Sequence, residues 1–379
     1  MLVVGIIVGL FVLVFLVAAH ELGHAIVAKR NGVVVEEFGI GFPPRAWAKK
    51  LKNGVLFTLN WLPLGGFVKL QGENDSASNK GDYGAATFWQ KTKILFAGVG
   101  VNWLIAFLLF TVLALTGLPL SQSVPNQFTV PSDTTIISGP VQLGSVTTGY
   151  PAEKAGLKKG DKIISIGGKD IKSSTGLIDI TKAQRGDTVK VVYERHNKQA
   201  TVDVTLRDSS SAVFGAAIGQ SQLMKATWSA PLVGIASTGQ YTWATLQGLG
   251  NLVSNFFGGL VGQLTTSESG RKAATEKLNE ASDSVAGPVG ILGVIFPAAS
   301  EAGLTQVVFL AAVVSLALAV MNTLPIPALD GGRWFVTALF KVMKKPLTKD
   351  LEERIHGAGF MVLLGLIVLI TAADVLKLF

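Results

Sequence analysis

The chain begins with an uncharged apolar run, LVVGIIVGLFVLVFLVAA at residues 2–19. A helix over this run can continue to the basic pair Lys29-Arg30, and at about 1.5 Å per residue it is then long enough to cross a bilayer. A cleaved signal peptide is the alternative, but such a peptide starts with basic residues and has a shorter apolar part. The run therefore predicts a first membrane-spanning helix.

Composition extends this prediction to the whole chain of 379 residues, of which 49% are hydrophobic and only 15% are charged. The apolar residues are clustered in long uncharged runs, which indicates a lipid environment. Besides the first run, apolar runs occur after Lys93, between Glu301 and Asp330, and from Ile355 to Ala373. These runs predict a polytopic membrane protein with about four transmembrane helices.

Basic residues indicate how these spans are oriented. Lysines and arginines are concentrated between spans one and two and again between spans three and four, and positively charged loops stay in the cytoplasm. Both termini and the segment 120–300 are then extracytoplasmic. The net charge of +8 would also suit a nucleic-acid-binding protein, but its placement beside apolar runs indicates membrane anchors and no nucleic-acid partner. Because the chain has no cysteine, any metal site must use His, Asp or Glu.

The extracytoplasmic segment holds two kinds of sequence. Val141 to Leu206 has short β-branched runs separated by glycine and aspartate turns, which predicts a small soluble domain. Residues 226–267 carry no charge but are rich in Gly, Ser, Thr and Gln. They predict an interfacial helix lying on the membrane rather than a further span.

A candidate metal motif, His20-Glu21-Leu22-Gly23-His24, follows the first apolar run. On a helix, His20 and His24 are one turn apart and present two imidazoles on one face, as two ligands of one tetrahedral zinc require. Glu21 flanks that face and can act as general base toward a zinc-bound water. His24 and His20 lie about 8 Å and about 14 Å inside the basic anchor. Ionisable groups at such depth are costly in lipid and usually have a function.

A third ligand is expected at the end of span three. There the sequence NTLPIPALDGG, residues 322–332, breaks the helix with prolines and supplies a carboxylate. Asp330 can reach the depth of the two histidines because spans one and three both end on the cytoplasmic side. Its alternative role is to cap the next helix.

These two motifs together resemble the site-2 proteases, specifically the bacterial branch of regulated intramembrane proteolysis that carries a PDZ domain. The resemblance extends over nearly the whole chain in the same order. It implies a Zn²⁺ ion held by His20, His24 and Asp330, with Glu21 as the catalytic base. The ligand set favours zinc over iron or cobalt.

The same resemblance implies a substrate-binding strand. Pro63 to Lys69 is similar to a membrane-associated β-hairpin loop of the family, in which Gly65, Gly66, Phe67 and Val68 would add a strand to an extended substrate. Such help is needed because a transmembrane helix hides its own amides and must be unwound before water can attack a carbonyl. The alternative is an ordinary cytoplasmic hairpin.

Two asparagines complete the implied site. Ala97 to Asn102 is similar to the second-span motif of the family, although Val99 stands where proline is usual. Asn102 is expected to hold substrate or polarise its carbonyl, and Asn322 to hold the backbone of the unwound substrate. The alternative for both amides is a hydrogen bond to a neighbouring helix.

A single PDZ domain is indicated by residues 149–163, which resemble the core motif of bacterial PDZ domains except that Tyr150 stands where serine is usual. Gln142, Leu143 and Gly144 precede a strand and are expected to form the carboxylate-binding loop, whose amides receive a peptide terminus. The alternative is a domain that binds nothing tightly and filters substrates by size.

The expected fold is a polytopic α-helical membrane protein with about four transmembrane helices, a cytoplasmic membrane-associated β-hairpin region and one extracytoplasmic PDZ domain (α+β). In chain order, its segments are span one with the His-Glu-x-x-His motif (1–29), a cytoplasmic loop with the hairpin (30–92), span two (93–119), an extracytoplasmic linker (120–140), the PDZ domain (141–208), an extracytoplasmic or interfacial helical region (209–300), span three with the Leu-Asp-Gly motif (301–331), a cytoplasmic loop (332–354) and span four (355–377).

The implied function is a zinc-dependent intramembrane endopeptidase of the cell membrane, meaning the inner or cytoplasmic membrane. Its expected partners are the lipid bilayer and single-span membrane proteins, of the anti-sigma factor or signal-peptide remnant type, cleaved after another protease has trimmed them. A non-catalytic PDZ scaffold that docks partner proteins is the rival, but it predicts loss of a ligand or of the base. A transporter with a His and Asp proton relay would need neither the motif spacing nor a PDZ domain.

Overall fold

The computed structural model describes residues 2–120, 130–209, 211–265 and 267–376. These residues form two compact units. The first unit holds the described residues up to Ala114, residues 130–132 and the described residues from Ser229 onward. The second unit holds residues 115–120 and the described residues of 133–228. All three candidate metal ligands belong to the first unit.

Helices make up most of the first unit. In chain order, the helices of the described chain are α1 (Leu2–Arg30), α2 (Phe88–Leu95), α3 (Ala97–Thr116), α4 (Pro151–Lys154), α5 (Ser174–Ala183), α6 (Ala230–Gln263), α7 (Glu268–Asp283), α8 (Pro288–Gly290), α9 (Phe296–Ala302), α10 (Leu304–Thr323), α11 (Asp330–Val342) and α12 (Lys349–Leu376), with a π-helical turn at Ile291–Ile295 between α8 and α9.

Several of these helices are long and apolar enough to cross a membrane. They are α1, α2 with α3, α10 and α12, to which a fifth is added if α7 and the following segment Pro288–Ala302 form one span bent by 53°. Although α6 is 34 residues long, it is not among the candidate spans of the described chain. The chain is therefore a membrane protein with several apolar helices.

The second span begins earlier in the structure than the sequence suggests. The helix starts at Phe88 rather than at residue 93 because Thr87 caps it. The Gln90 amide donates to the Thr87 hydroxyl at 3.3 Å, and the Thr87 amide donates to the Gln90 side chain at 2.8 Å. Such a reciprocal pair satisfies two amides that have no partner within the helix.

Glycines let neighbouring helices approach α1 closely. A Cβ added at Gly9 would lie 2.6 Å from the ring of Phe296 on α9. Near the other end, a Cβ added at Gly23 would lie 2.9 Å from the carbonyl oxygen of Ala97 on α3. Because helices associate in membranes through close packing, these small residues hold α1 against both neighbours.

Two bent strands, β1 (Val35–Lys50) and β2 (Leu56–Leu70), form the sheet of the first unit. Residues 35–40 of β1 pair with residues 66–70 of β2. They also lie beside the start of β2, and the start of β2 pairs with the end of β1. The Thr58 hydroxyl donates to the Glu37 carboxylate at 2.8 Å inside this sheet. β2 packs against α1, which carries the two histidines.

The second unit is built around one seven-stranded sheet. Its strands are β3 (Leu118–Pro119), β4 (Thr135–Val146), β5 (Lys162–Ile166), β6 (Lys169–Asp170), β7 (Thr188–Arg195), β8 (Lys198–Thr205) and β9 (Ala216–Lys225). Their order is β3-β9-β4-β5-β7-β8, with β6 paired to β5. Buried residues such as Ile166, Val191 and, on α5, Leu177 form its core.

This unit extends beyond the expected boundaries of 141 and 208 on both sides. β4 begins at Thr135, inside the expected linker, and β9 lies in the region expected to be helical. Gly139-Pro140 suggests a turn in the sequence, yet the chain continues through it as an irregularity in the pairing of β4 with β9. Proline is tolerated at such a bulge because no ladder hydrogen bond is required from it there.

The prediction that Gln142, Leu143 and Gly144 form a carboxylate-binding loop is wrong. These residues lie within β4, where Gln142 pairs with Gly219 of β9 on one side and with Lys162 of β5 on the other. Leu143 is only 1% exposed and belongs to the core of the unit. Because Gln142 and Leu143 are paired in the sheet and Gly144 lies at an irregularity of the same strand, the three residues are part of a strand and not of a loop.

The aspartate of the PDZ-like motif has a structural role. The side chain of this residue, Asp161, is only 1% exposed. It accepts hydrogen bonds of 2.6 Å from both Nε and Nη2 of Arg195. The Lys158 amide donates a third at 2.7 Å. Burial alone would raise the pKa of this carboxyl, but the three donors hold the pKa below its ordinary value.

Candidate metal centre

His20 and His24 lie on one buried face of α1, one turn apart. Their Nε2 atoms are 3.1 Å from each other. Asp330, the first residue of α11, places Oδ2 at 3.1 Å from Nε2 of His20 and 3.3 Å from Nε2 of His24. The structure thus brings together three side chains that the sequence separates by as much as 310 positions.

These three atoms form a nearly equilateral triangle that fits a tetrahedral ion. Bonds of about 2.0–2.1 Å to a tetrahedral zinc separate any two ligand atoms by about 3.3–3.4 Å. The observed edges of 3.1, 3.1 and 3.3 Å are close to this value. The residues that the structure describes contain one such cluster of His, Asp or Glu donors. Three protein ligands leave the fourth position that a catalytic zinc needs for water or substrate.

A compact reversal after α10 brings Asp330 to the histidines. α10 ends at Thr323 rather than at residue 331 because two prolines follow and cannot continue the helix. Gly331 lies so close to the Thr323 carbonyl that any side chain at this position would collide with it. The Ala328 amide donates to Nδ1 of His356 on α12 at 3.1 Å, which fixes the loop from its other side.

Charged side chains anchor the beginning of α11. Arg333, one turn after Asp330, donates from Nη1 to the Glu73 carboxylate at 3.0 Å, and its Nη2 lies 3.6 Å from the Glu352 carboxylate. Glu352 also accepts a hydrogen bond of 2.7 Å from the Asp75 amide. Because α11, α12 and the loop after β2 meet in this network, the carboxylate of Asp330 has a defined position.

The far nitrogen of His24 has a backbone partner. Its Nδ1 lies 2.7 Å from the carbonyl oxygen of Ile94 on α2. A carbonyl can only accept, so Nδ1 carries a proton, and in the neutral ring Nε2 then keeps its lone pair. This is the tautomer that binds a metal through Nε2, and such outer partners also orient the ring.

Glu21 lies beside the ligand triangle, as the sequence spacing predicts. The backbone N–H of Val68 lies near its carboxylate. Glu21, His24 and Asp330 line one cavity of about 150 Å³ together with Phe67 and Val68. Since a water occupies about 30 Å³, this cavity has room for a water molecule and part of an extended peptide.

The hairpin residues expected to bind substrate lie in β2, next to Glu21. Gly65 has a φ of +95°, a conformation that favours glycine. A Cβ added at Gly66 would lie 3.4 Å from Cγ of Glu21, so the strand and the base are in contact. Among the described residues, the segment 66–70 pairs only with residues 35–40. Its position and single-sided pairing suit the addition of a further strand.

The two asparagines are placed differently. Asn102 has no exposed surface and points Nδ2 at Nδ1 of His20, 3.3 Å away. This position favours the alternative of a hydrogen bond between helices, and a substrate contact of Asn102 stays a prediction. Asn322 is half-buried and donates to the Leu318 carbonyl of its own helix at 3.1 Å. A role of Asn322 in substrate binding stays a prediction.

Gly98 is a further residue of the centre, one that the sequence hypotheses did not single out. A Cβ at this position of α3 would lie 2.5 Å from Nε2 of His24 and 2.7 Å from Nε2 of His20. α3 therefore forms a wall directly behind the ligand atoms. Gly98 is part of the sequence Ala97 to Asn102, which resembles a family motif. That resemblance did not indicate what the glycine does there.

We expect Gly98→Ala to lower zinc affinity by at least about tenfold, a loss typical of disturbed outer-shell support. The added methyl group would lie too close to the Nε2 atoms of both histidines, so one imidazole must turn away. Competition between the purified protein and a zinc chelator measures the effect.

The matched control is Gly100→Ala, two residues further along the same helix. A Cβ at Gly100 meets nothing within 4 Å, so this variant should bind zinc like the wild type. Equal zinc affinity of the Gly98 and Gly100 variants would mean that α3 does not form the wall described above.

Comparison with solved structures finds PDZ domains. The PDZ domain of an SdrC-like protein from Listeria monocytogenes is 29% identical to this chain. The match covers 24% of this chain and 93% of that domain, and its TM-score is 0.19. A PDZ domain of the corresponding Listeria innocua protein is 31% identical and covers 21% of this chain and 93% of its own length, also at a TM-score of 0.19.

Curated relatives match along nearly the whole chain. The zinc metalloprotease RasP of Geobacillus kaustophilus is 27% identical, with 97% of each chain covered. The regulator of sigma-W protease RasP of Bacillus subtilis is 26% identical, with 97% of this chain and 98% of its own length covered. A Clostridium perfringens protein is 31% identical over 361 residues, which cover 95% of each chain.

The family match agrees with the chemistry of the site. The donor set of two imidazoles and a carboxylate and the names of the relatives both indicate zinc as the ion. The model of Peptidase family M50 matches residues 8–366, a range that contains all three candidate ligands and Glu21. This chain belongs to Peptidase family M50 and is a metalloendopeptidase.

Proposed function

We propose that this enzyme hydrolyses peptide bonds inside the membrane-spanning segments of single-span proteins. His20, His24 and Asp330 hold the zinc ion and Glu21 is the general base. The scissile segment lies extended beside residues 65–68 of β2.

One observation carries this proposal. Two of the three ligands and the general base lie on α1, a helix long and apolar enough to cross the bilayer, and Asp330 meets them from the start of α11. Both histidines are more than 90% buried among apolar helices. Ionisable groups in such surroundings are costly unless they serve a function, and a ligand triangle with an adjacent carboxylate is the equipment of a hydrolase.

The residues divide the chemical work as follows. Zinc, when bound, supplies a Lewis acid that makes water nucleophilic near neutral pH. Glu21 takes the proton from the attacking water and returns it to the leaving amine nitrogen. The Ile94 carbonyl keeps Nδ1 of His24 protonated, so the ring binds the metal through Nε2. Residues 65–68 hold the substrate backbone open, since a helical substrate would hide its carbonyl groups.

The orientation in the cell membrane follows from the charges between the spans. The basic loops, and with them the hairpin, face the cytoplasm, so both termini and the second unit are extracytoplasmic. The second unit is a PDZ domain that either binds a peptide terminus or restricts substrates by size. The metal centre then lies within the inner membrane, near its cytoplasmic side.

The substrate class is suggested by a relative's name. The Bacillus subtilis protein is named for the regulation of a sigma factor, which suggests membrane-anchored anti-sigma factors as substrates of this chain, with signal-peptide remnants as a further type. We propose that such substrates are cut after another protease has removed most of their extracytoplasmic part.

The test uses the purified full chain in liposomes with single-span reporters that carry short extracytoplasmic tails. We expect mass spectrometry to find cleavage sites within the span. A reporter with a Gly-Pro break in its span should be cut faster than one with an uninterrupted leucine span, because unwinding a stable helix costs free energy.

A third reporter keeps a large folded extracytoplasmic domain and should be cut more slowly than its trimmed counterpart. Cleavage confined to soluble loops of all three reporters would contradict intramembrane proteolysis. Equal cleavage of trimmed and untrimmed reporters would remove the need for a preceding protease.

A further inference from the structure

We propose that Asn102 is a positioning residue whose side-chain oxygen accepts a hydrogen bond from Nδ1–H of His20 and thereby directs Nε2 of that ring to the zinc ion. The inference rests on the proposed function, because it assumes that His20 is a zinc ligand. It differs from the expectation that this asparagine contacts substrate.

The geometry of His20 requires an acceptor at its far nitrogen. Nε2 of His20 faces His24 and Asp330, so a metal bound there leaves Nδ1 as the protonated nitrogen. A buried N–H without an acceptor is destabilising, because it has lost its hydrogen bonds to water. For His24 the acceptor is the Ile94 carbonyl. For His20 the structure provides the side-chain amide of Asn102, at 3.3 Å.

An asparagine amide can meet this requirement. Its Oδ1 is buried and has no hydrogen-bond partner as the side chain is oriented. A half turn about the Cβ–Cγ bond exchanges Oδ1 and Nδ2 with almost no change in shape, so the two orientations are alternatives of one amide. With the proton on Nδ1 of His20, the favourable orientation is the one that turns the oxygen toward the ring.

The backbone around Asn102 is fixed from two sides. The Ser315 hydroxyl of α10 donates to the Asn102 carbonyl at 2.8 Å. One turn earlier, Gly98 allows α3 to approach both imidazoles. The amide therefore has little freedom except rotation in place, which is what a residue that orients a metal ligand needs.

A purely structural role is the competing explanation, since amides in membranes often link helices. The two explanations differ in what substitution does to zinc. If Asn102 only links α3 to α1, its loss lowers stability with or without the metal. If Asn102 orients His20, its loss lowers zinc affinity. A substitute that accepts a hydrogen bond from His20 then restores that affinity.

The test compares three variants of the full chain in detergent. Asn102→Leu keeps the volume and removes the acceptor, Asn102→Asp keeps an acceptor, and Ser315→Ala removes a hydrogen bond to the same residue without touching the imidazole. Zinc affinity is measured by chelator competition, and the zinc-induced rise of the unfolding temperature reports the same binding independently of activity.

We expect Asn102→Leu to bind zinc about 10–100-fold more weakly, while Asn102→Asp and Ser315→Ala stay within about threefold of wild type, well below that outer-shell loss. The unfolding temperature of zinc-free Asn102→Leu should be close to that of the zinc-free wild type. Wild-type zinc affinity in Asn102→Leu, or an equal loss in Asn102→Asp, would overturn the proposal.

His20→Ala separates this proposal from the one on which it rests. If the alanine variant loses zinc while all Asn102 variants keep it, the zinc site stands and the role of Asn102 is wrong. If the alanine variant itself keeps wild-type zinc affinity, His20 is not a ligand and the proposed function fails.

Discussion

Glu21→Gln is expected to keep its zinc and to hydrolyse peptide bonds roughly 10³-fold more slowly than the wild type. Glutamine has the shape of glutamate, so the position beside Val68 in the cavity is retained. It cannot take a proton from water, and the general-base step is lost. Because Glu21 is not one of the three ligand residues, the metal should remain. Zinc content by atomic absorption and cleavage of the liposome reporters measure the two effects separately.

The control for Glu21 is Glu276→Gln on the exposed face of α7, which should cleave like the wild type. Undiminished cleavage by the Glu21→Gln variant would mean that another group takes the proton from water. Loss of zinc from this variant would instead assign Glu21 to the ligands.

Asp330→Asn is expected to lower zinc affinity by more than about 100-fold, beyond the range for outer-shell partners, and to abolish cleavage. The substitution keeps the shape of the side chain but replaces the one anionic ligand with a neutral amide. It also leaves the divalent charge without a compensating carboxylate in a buried, apolar site. Zinc retained after dialysis against a chelator measures the effect.

Asp350→Asn serves as the control, because Asp350 is an exposed acidic residue in the first turn of α12. It should bind zinc and cleave like the wild type. If Asp330→Asn bound zinc as tightly as this control, the carboxylate could not be a ligand, and the match of the triangle to a tetrahedral site would be coincidental.

Local periodicity was enough to predict that the two candidate ligands of α1 lie side by side. Two histidines four residues apart face the same side of any α-helix, so their meeting did not depend on the rest of the fold. The choice of Asp330 needed one further step, the argument that two spans of equal depth bring distant residues to the same level. A bilayer restricts helix ends to two planes, so the ends of two spans on the same side lie at similar depth.

Contacts between elements were beyond the reach of the sequence. Gly98 and Asn102 were identified only as parts of a motif, since their roles depend on how closely α3 approaches α1. The amide of Asn102 suits a substrate contact equally well until its burial behind His20 is known. Sequence spacing does not contain that distance.

Strand limits in the second unit were obscured for a different reason. Gly139-Pro140 has the composition of a turn, and β9 has no clear alternation of apolar and polar residues. As a result, the sequence indicated a domain that was too short, and Gln142 to Gly144 looked like a loop before a strand. Pairing between β4 and β9, which are distant in the chain, overrides these local signals.

Anomalous diffraction at the zinc edge, measured from crystals of the zinc-loaded protein, locates the ion and identifies its ligands. We expect one zinc ion bonded to Nε2 of His20, Nε2 of His24 and a carboxylate oxygen of Asp330, with bonds of about 2.0–2.2 Å. A zinc ion bound elsewhere, or one without Asp330 among its ligands, would show that these three side chains are not the metal centre.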